Sequence, residues 1–284
     1  MEKDLAGKVF LVTGATEGIG KAAALEFARR GADLTIVGRN REKTERVLAE
    51  LKAAGGENVA MLLGDLSSMA EVRRVAGEFK AGHDKLDVLV NNAGAIFSSK
   101  QASVDGLELT FALNHVGYFV LTTELLDLLR QTPGSRVVST SSGAHWAGKL
   151  DLSDVARCEK GWSTWRSYGD SKLANVLFTR ELSKRLGEGH AVNCIHPGWV
   201  HTGFAMNNKG FMANVVEATA SIFARTPEKG AETIVWLATT PEGGKLNGEY
   251  LHDRKIAATS KRAKDDALAK NLWEFSEKLV AARS

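Results

Sequence analysis

The stretch Thr13-Gly14-Ala15-Thr16-Glu17-Gly18-Ile19-Gly20 follows the apolar run Val9-Phe10-Leu11-Val12 and opens a segment with helical periodicity that extends to Arg30. Strand, glycine turn and helix therefore come in this order. Glycines permit a tight turn and let the backbone approach a pyrophosphate, and the helix N-terminus offers free N–H groups. A glycine pattern alone is more often an ordinary turn, but this placement indicates a nucleotide site. Its candidate residues in the turn are Gly14, Thr16, Gly18, Ile19 and Gly20.

Short β-branched runs alternate with helical patterns along the chain, which is typical of βαβ units and a parallel sheet. Further strands are predicted at 34–37, 59–63, 87–90, 136–140, 191–195 and 248–251. Further helices are predicted at 41–53, 68–80, 107–129 and 167–186, with a C-terminal helix at about 264–282. We therefore predict an α/β fold: one doubly wound Rossmann-type domain over 1–284, with a mainly parallel sheet of about seven strands flanked by helices.

Composition excludes several classes of protein. The 37 Lys and Arg and 34 Asp and Glu residues give a net charge of +3 that is spread along the chain, so nothing favours nucleic acid binding. Cys158 and Cys194 are too few and too far apart for a disulfide scaffold or a metal cluster. No uncharged apolar stretch reaches the roughly 18 residues that a spanning helix needs. We expect a cytoplasmic protein without an integral membrane segment.

Three more motifs follow in order after the glycine turn. They are Asn91-Asn92-Ala93-Gly94, Tyr168-Gly169-Asp170-Ser171-Lys172 and His196-Pro197-Gly198-Trp199-Val200-His201-Thr202. With the Gly-x-x-x-Gly-x-Gly spacing of the turn, they resemble the short-chain dehydrogenase/reductase family over essentially the whole chain. The runs from Asn114 to Phe119 and from Gly248 to Asp253 resemble its retinol-dehydrogenase-like branch.

The resemblance implies a nicotinamide cofactor, and charge predicts which one. Gly38-Arg39-Asn40-Arg41 has no acid for a ribose 2′-hydroxyl, whereas Arg39 suits a 2′-phosphate. Lys21 is expected to add positive charge, although Glu17 places a negative charge nearby. We predict NADP(H) in preference to NAD(H). The other cofactor-binding residues that the resemblance implies are Asp65, Leu66, Asn92, Ala93, Gly94, Tyr168, Lys172, Pro197, Gly198, Val200 and Thr202.

Tyr168 and Lys172 lie four residues apart in a predicted helix, so their side chains project from one face. An adjacent ammonium is expected to pull the phenol pKa of about 10 toward neutrality, which suits a general acid or base. The resemblance adds Ser142, which would bind the substrate oxygen, and Asn114, which would hold the active-site backbone and a water. Ser141 is the rival for Ser142, and a helix cap is the rival interpretation of Asp65.

The predicted function is an NADP(H)-dependent oxidoreductase acting on a small carbonyl or alcohol. About two dozen residues separate Ser142 from Tyr168, and they include Trp146, Trp162 and Trp165. With a substrate loop at about 200–226, these aromatics predict an apolar substrate, retinoid-like or a lipid carbonyl. The alternative is that two or more of these tryptophans only anchor loops.

A catalytically quiet NADP(H)-binding sensor or scaffold is the second hypothesis, and an epimerase relative is disfavoured by the glycine spacing. Histidine spacing does not suggest zinc, and His196 and His201 are interpreted as loop-packing residues. The sequence leaves monomer, homodimer and homotetramer open.

Overall fold

The computed structural model describes residues 3–198 and 225–283. In those residues one sheet has eight strands in the order β3-β2-β1-β4-β5-β6-β7-β8. The strands are β1 (Val9–Thr13), β2 (Asp33–Gly38), β3 (Val59–Leu63), β4 (Val88–Asn91), β5 (Arg136–Thr140), β6 (Ala191–Ile195), β7 (Tyr250–His252) and β8 (Lys255–Ile256). All neighbouring pairs are parallel except β7 and β8.

The α/β prediction is confirmed, but the described sheet has eight strands instead of about seven. The additional strand, β8, is a two-residue antiparallel partner of β7. Asp253 and Arg254 join the two strands with φ angles of 50° and 60°, the left-handed conformation that tight hairpin turns require. A strand this short leaves no detectable alternation in the sequence.

Helices cover both faces of the sheet. The described helices are α1 (Gly18–Arg29), α2 (Arg41–Ala53), α3 (Met69–Gly82), α4 (Leu109–Phe111), α5 (Gly117–Glu124), α6 (Leu126–Gln131), α7 (Thr164–Leu186), α8 (Pro227–Thr239), α9 (Pro241–Gly244) and α10 (Asp266–Ala281). One apolar core joins the sheet to α1, α2 and α8, and the other joins it to α3, α5, α7 and α10. Strands such as β1 are buried throughout because both faces are covered.

The prediction of one continuous helix over 107–129 is wrong. A π-helical segment, Ala112–Val116, separates α4 from α5. Gly117 then packs against the 65–66 turn so closely that an added Cβ would lie 2.4 Å from the carbonyl oxygen of Leu66. This long-range contact accompanies the change in helical pitch, and π-helical turns of this kind are frequent at functional sites.

Helix α8 was not predicted, although its start carries a signal. The Thr226 hydroxyl caps the helix, and Pro227 occupies its first turn. Among the described residues, no helix combines the length and the hydropathy needed to cross a membrane.

The sheet order places the candidate motifs together. Strand order reverses between β1 and β4, and ligands of open α/β sheets bind at such a switch point, beyond the carboxyl ends of the strands. Thr13, Asn91 and Thr140 end β1, β4 and β5 there. The glycine turn, the Asn-Asn-Ala-Gly motif and the serine run therefore meet at one edge.

Candidate active site

The glycine turn packs backbone against backbone on the Asn91–Gly94 segment. Gly14 and Gly18 have φ angles of 65° and 57°, which favour glycine. A Cβ on Gly14 would lie 2.6 Å from the Cα of Ala93, and one on Gly20 would lie 2.3 Å from Nδ2 of Asn92. The turn therefore tolerates only glycine at these contacts.

Thr13 and Asn92 hold this packing with hydrogen bonds. The Thr13 hydroxyl accepts from the backbone N–H groups of Asn92, at 2.9 Å, and Ala93, at 3.1 Å. Nδ2 of Asn92 donates to the carbonyls of Thr13 and Gly14, and its Oδ1 accepts from the Thr140 hydroxyl at 3.1 Å. Asn92 thus fixes the shape of the turn.

The start of α1 fits a pyrophosphate. The N-cap residue Glu17 makes no side-chain cap on the helix, and the first turn contains no acidic residue. Thr16, Gly18 and Ile19 border this helix end. Backbone N–H groups and the helix dipole at such an end attract phosphate oxygens.

The charged residues around the end of β2 form several ion pairs with one another. The Arg39 side chain is 70% exposed and lies 3.8 Å from the Asp65 carboxylate, so its guanidinium is accessible. Lys21, which was expected to add positive charge, has its Nζ 2.6 Å from the carboxylate of Glu50. Lys43, at 3.7 Å, faces the carboxylate of Glu17.

Asp65 does not cap α3. Its carboxylate accepts from the backbone N–H and the hydroxyl of Ser67, at 2.9 and 2.7 Å, whereas Ser68 caps the helix. The rival interpretation of Asp65 as that helix cap is therefore wrong. Leu66 is buried beside it.

Tyr168 and Lys172 project from α7 into the interior, where they are 9% and 2% exposed. Nζ of Lys172 donates to the Thr140 carbonyl at 3.2 Å and lies 5.6 Å from the centroid of the Tyr168 ring. The ammonium therefore lies toward the ring face, and main-chain oxygen holds it.

Burial controls the charges of this pair. It raises the pKa of Tyr168 to about 12, opposed by a hydrogen bond with Ser142, and it lowers the pKa of Lys172 to about 7. The expectation that the ammonium lowers the phenol pKa is wrong here, because desolvation is the larger effect. Near pH 7 the phenol is protonated and the lysine exchanges its proton readily.

The two serines at the end of β5 have different partners. The Ser142 hydroxyl hydrogen-bonds Tyr168 and accepts from the N–H of Ala144 at 3.2 Å. The Ser141 hydroxyl is buried and donates to the carbonyl of Lys172 at 2.8 Å. Ser142 is therefore the serine that faces the candidate acid.

Asn114, in the π-helical segment, is fully buried beside the Asn-Asn-Ala-Gly motif. Its Oδ1 accepts from the N–H of Ala95 at 2.8 Å, and its Nδ2 donates to the Ala95 carbonyl and the Ser171 hydroxyl. A Cβ on Gly94 would lie 3.0 Å from that Oδ1 and 3.5 Å from Nζ of Lys172. Asn114 thus fixes the backbone next to the lysine.

The remaining candidates lie around β6 and the loop before α7. Pro197 and Gly198 follow β6, and Gly198 has a φ of 80°. Val200, Thr202 and most of the proposed loop at 200–226 lie outside the described residues.

The three tryptophans divide into two groups. Nε1 of Trp162 donates to the buried carboxylate of Glu108 at 3.3 Å, so this residue anchors its loop. Trp146 and Trp165 are 58% and 57% exposed.

Sequence reasoning missed three residues that hold the site: Thr13, Thr140 and Asn175. Thr13 is the first residue of the glycine motif, and its hydroxyl could have been predicted to bind a neighbouring backbone segment. Thr140 acts through its carbonyl, which accepts both from Lys172 and from Nδ2 of Asn175 at 3.2 Å. No side-chain pattern reveals a backbone acceptor.

Comparison with known proteins agrees with this geometry. The family model for short chain dehydrogenases matches residues 8–212. Retinol dehydrogenases 13 and 11 of Homo sapiens are 36% and 37% identical over 282 and 274 residues, each match covering 96% of this chain and 85% of the relative. A solved short chain dehydrogenase of Burkholderia cenocepacia in complex with NADP has a TM-score of 0.70 at 28% identity, covering 87% of this chain and 96% of that chain. The chain therefore belongs to the short-chain dehydrogenase/reductase family of oxidoreductases, in its retinol-dehydrogenase-like branch.

Proposed function

We propose that this oxidoreductase interconverts an apolar aldehyde or ketone and its alcohol with NADP(H), and that Tyr168 is its general acid and base. The observation that carries the proposal is the buried arrangement of Tyr168, Ser142 and Lys172 beside a glycine turn. The tyrosine bonds the serine, and the lysine lies against its ring.

The side chains have distinct tasks in this mechanism. When bound, the nicotinamide supplies the hydride in reduction and accepts it in oxidation. Ser142 hydrogen-bonds the substrate oxygen, where charge develops. Tyr168, protonated at neutral pH because its pKa is about 12, donates its proton to that oxygen; in oxidation the phenol first gives its proton to neutral Lys172, and the resulting phenolate accepts the alcohol proton. In reduction, Lys172, with a pKa of about 7, restores the phenol proton, and Asn114 holds the backbone of Ala95 beside the lysine.

Preference for NADP(H) rests on Arg39. An exposed guanidinium at the end of β2 can form paired, charge-assisted bonds with a 2′-phosphate. The pairing of Glu17 with Lys43 offsets the one acidic side chain of the glycine turn. The solved relative in complex with NADP supports the same choice.

An apolar substrate, retinoid-like or a lipid carbonyl, is supported by the two relatives named as retinol dehydrogenases. Exposed Trp146 and Trp165, close in sequence to Ser142 and Tyr168, offer apolar surface for such a substrate. The segment at about 200–226 is proposed as the substrate loop.

The test is the initial rate of NADPH oxidation at neutral pH with a panel of apolar aldehydes and ketones that includes retinal. The same panel is run with NADH and with small charged carbonyls as controls. We expect turnover with NADPH preferred and apolar compounds favoured. Binding of NADPH without turnover of any carbonyl contradicts the enzyme and favours the sensor or scaffold hypothesis.

A further inference from the structure

His196 lies at the end of β6, between the turn that carries Ser142 and the Pro197-Gly198 turn. Its Nδ1 accepts from the backbone N–H groups of Gly143, at 3.3 Å, and Gly198, at 3.4 Å. The ring also covers Gly143, since an added Cβ there would lie 3.4 Å from Nε2. One imidazole therefore joins the residue after the candidate catalytic serine to a turn predicted to bind the cofactor.

This geometry fixes the protonation state of the ring. Both bonds to Nδ1 come from backbone donors, so Nδ1 carries no proton and the hydrogen resides on Nε2. Burial, His252, His145 and Arg225 disfavour the charged form, and Asp253 opposes them; together they lower the pKa of His196 to about 4. The acceptor form is therefore present at neutral pH.

Neighbouring groups hold the same turn and the same ring. Nδ1 of His252 bonds the His196 carbonyl at 2.9 Å, and the two rings stack with centroids 4.8 Å apart. His145, two residues after Gly143, accepts at Nε2 from the N–H of Ser260, so its Nδ1 donates to the Ser142 carbonyl at 2.8 Å. The carbonyl of Ser142 and the N–H of the next residue are thus both bound by imidazoles.

We propose that His196 is a positioning residue for the reaction. By accepting from Gly143, its ring sets the direction in which Ser142 presents its hydroxyl to Tyr168. By accepting from Gly198, it fixes the position of that serine relative to the turn predicted to bind the cofactor. The inference rests on the proposed function for its kinetic consequence. Independently of any kinetics, Nδ1 of His196 must be an unprotonated hydrogen-bond acceptor.

The matched variants are His196→Asn and His196→Leu. Asparagine keeps an acceptor near the position of Nδ1 and bonds the backbone two residues on, as His196 does with Gly198. Leucine has a similar size and no acceptor. We expect kcat to fall roughly 10- to 100-fold in His196→Leu, with little change in KM, and to recover largely in His196→Asn.

A merely structural role would lower kcat and the melting temperature equally in both variants, which would overturn the proposal. Unchanged kcat in His196→Leu would overturn it too.

A second readout does not depend on turnover. In protein with ¹⁵N-labelled histidine, NMR at pH 7 should find His196 with Nδ1 unprotonated and Nε2 protonated. A proton on Nδ1 overturns the inference. If the wild type reduces no carbonyl with NADPH, the proposed function fails, and the NMR result still decides the role of Nδ1.

Discussion

The Nζ of Lys172 donates a hydrogen bond of 3.2 Å to the main-chain carbonyl of Thr140, which ties α7 to the end of β5. Nδ2 of Asn175 donates to the same oxygen at the same distance. The lysine is therefore held by the sheet independently of Tyr168. Because this anchoring buries the amine, its pKa falls to about 7.

The buried lysine predicts how stability depends on pH. Its pKa is about 7 in the folded chain and about 10.4 when unfolded, so the unfolded chain binds more protons between these values. Its contribution therefore makes the free energy of unfolding rise with pH. Relative to that of Lys172→Met, the free energy of unfolding of the wild type should increase by up to about 1.4 kcal/mol per pH unit between pH 7 and 9.

Denaturant unfolding of both proteins at pH 7, 8 and 9 measures this difference. Tyr168 and Cys194, whose pKa values burial raises to about 12, are present in both proteins and cancel in the comparison. Parallel pH profiles for the two proteins would refute the lowered lysine pKa.

Gly20 and Gly77 both lie in helices, and their substitutions by alanine form a matched pair for testing the packing of the glycine turn. A Cβ on Gly20 would lie 2.3 Å from both Asn92 and the Gly14 carbonyl, whereas a Cβ on exposed Gly77 meets nothing within 4 Å. We expect Gly20→Ala to lower the free energy of unfolding by roughly 1 to 3 kcal/mol and to abolish NADPH binding. Gly77→Ala should raise stability by roughly 0.5 to 1 kcal/mol and leave binding intact.

Thermal unfolding measures the change in stability of each variant, and fluorescence titration measures its NADPH binding. The close packing of the glycine turn would be contradicted if Gly20→Ala bound NADPH as tightly as Gly77→Ala.

Cofactor choice is tested at the end of β2. Removing the guanidinium in Arg39→Ala should weaken NADPH binding roughly 10- to 100-fold and leave NADH binding nearly unchanged, since only NADPH carries the 2′-phosphate. Arg41→Ala is the control, because Arg41 is 68% exposed and pairs with Glu45 on its own helix. Equal losses for both cofactors, or for both variants, would count against Arg39 as the phosphate-binding residue.

Local pattern predicted much of this fold. The bounds of β3, β5, β6 and α2 agree with those read from the sequence, because apolar runs and their flanking residues define these elements locally. The resemblance to the family, which the ordered motifs carry, assigned Tyr168, Lys172, Ser142 and Asn114 to one site.

Features that depend on distant contacts could not be predicted. The π-helical segment accompanies the approach of Gly117 to Leu66, about 50 residues earlier in the chain. The pKa of Tyr168 is raised because the whole fold buries its phenol, and the spacing to Lys172 in the sequence does not reveal that burial. His196 bonds Gly143 across 53 residues, a contact that the motif around Pro197 does not encode.

The central claim, hydride transfer with Tyr168 as the acid, is tested most directly with NADPH deuterated at the transferable position of the nicotinamide. Wild-type protein, Tyr168→Phe and Tyr118→Phe are incubated with an apolar aldehyde from the panel, and deuterium in the alcohol is measured by mass spectrometry. Tyr118 is a suitable control because its buried hydroxyl has no hydrogen-bond partner among the described residues.

We predict deuterated alcohol from the wild type and from Tyr118→Phe. At saturating NADPH, Tyr168→Phe should form it at least about 100-fold more slowly. Alcohol formed at the wild-type rate by Tyr168→Phe, or alcohol without deuterium, would contradict the mechanism.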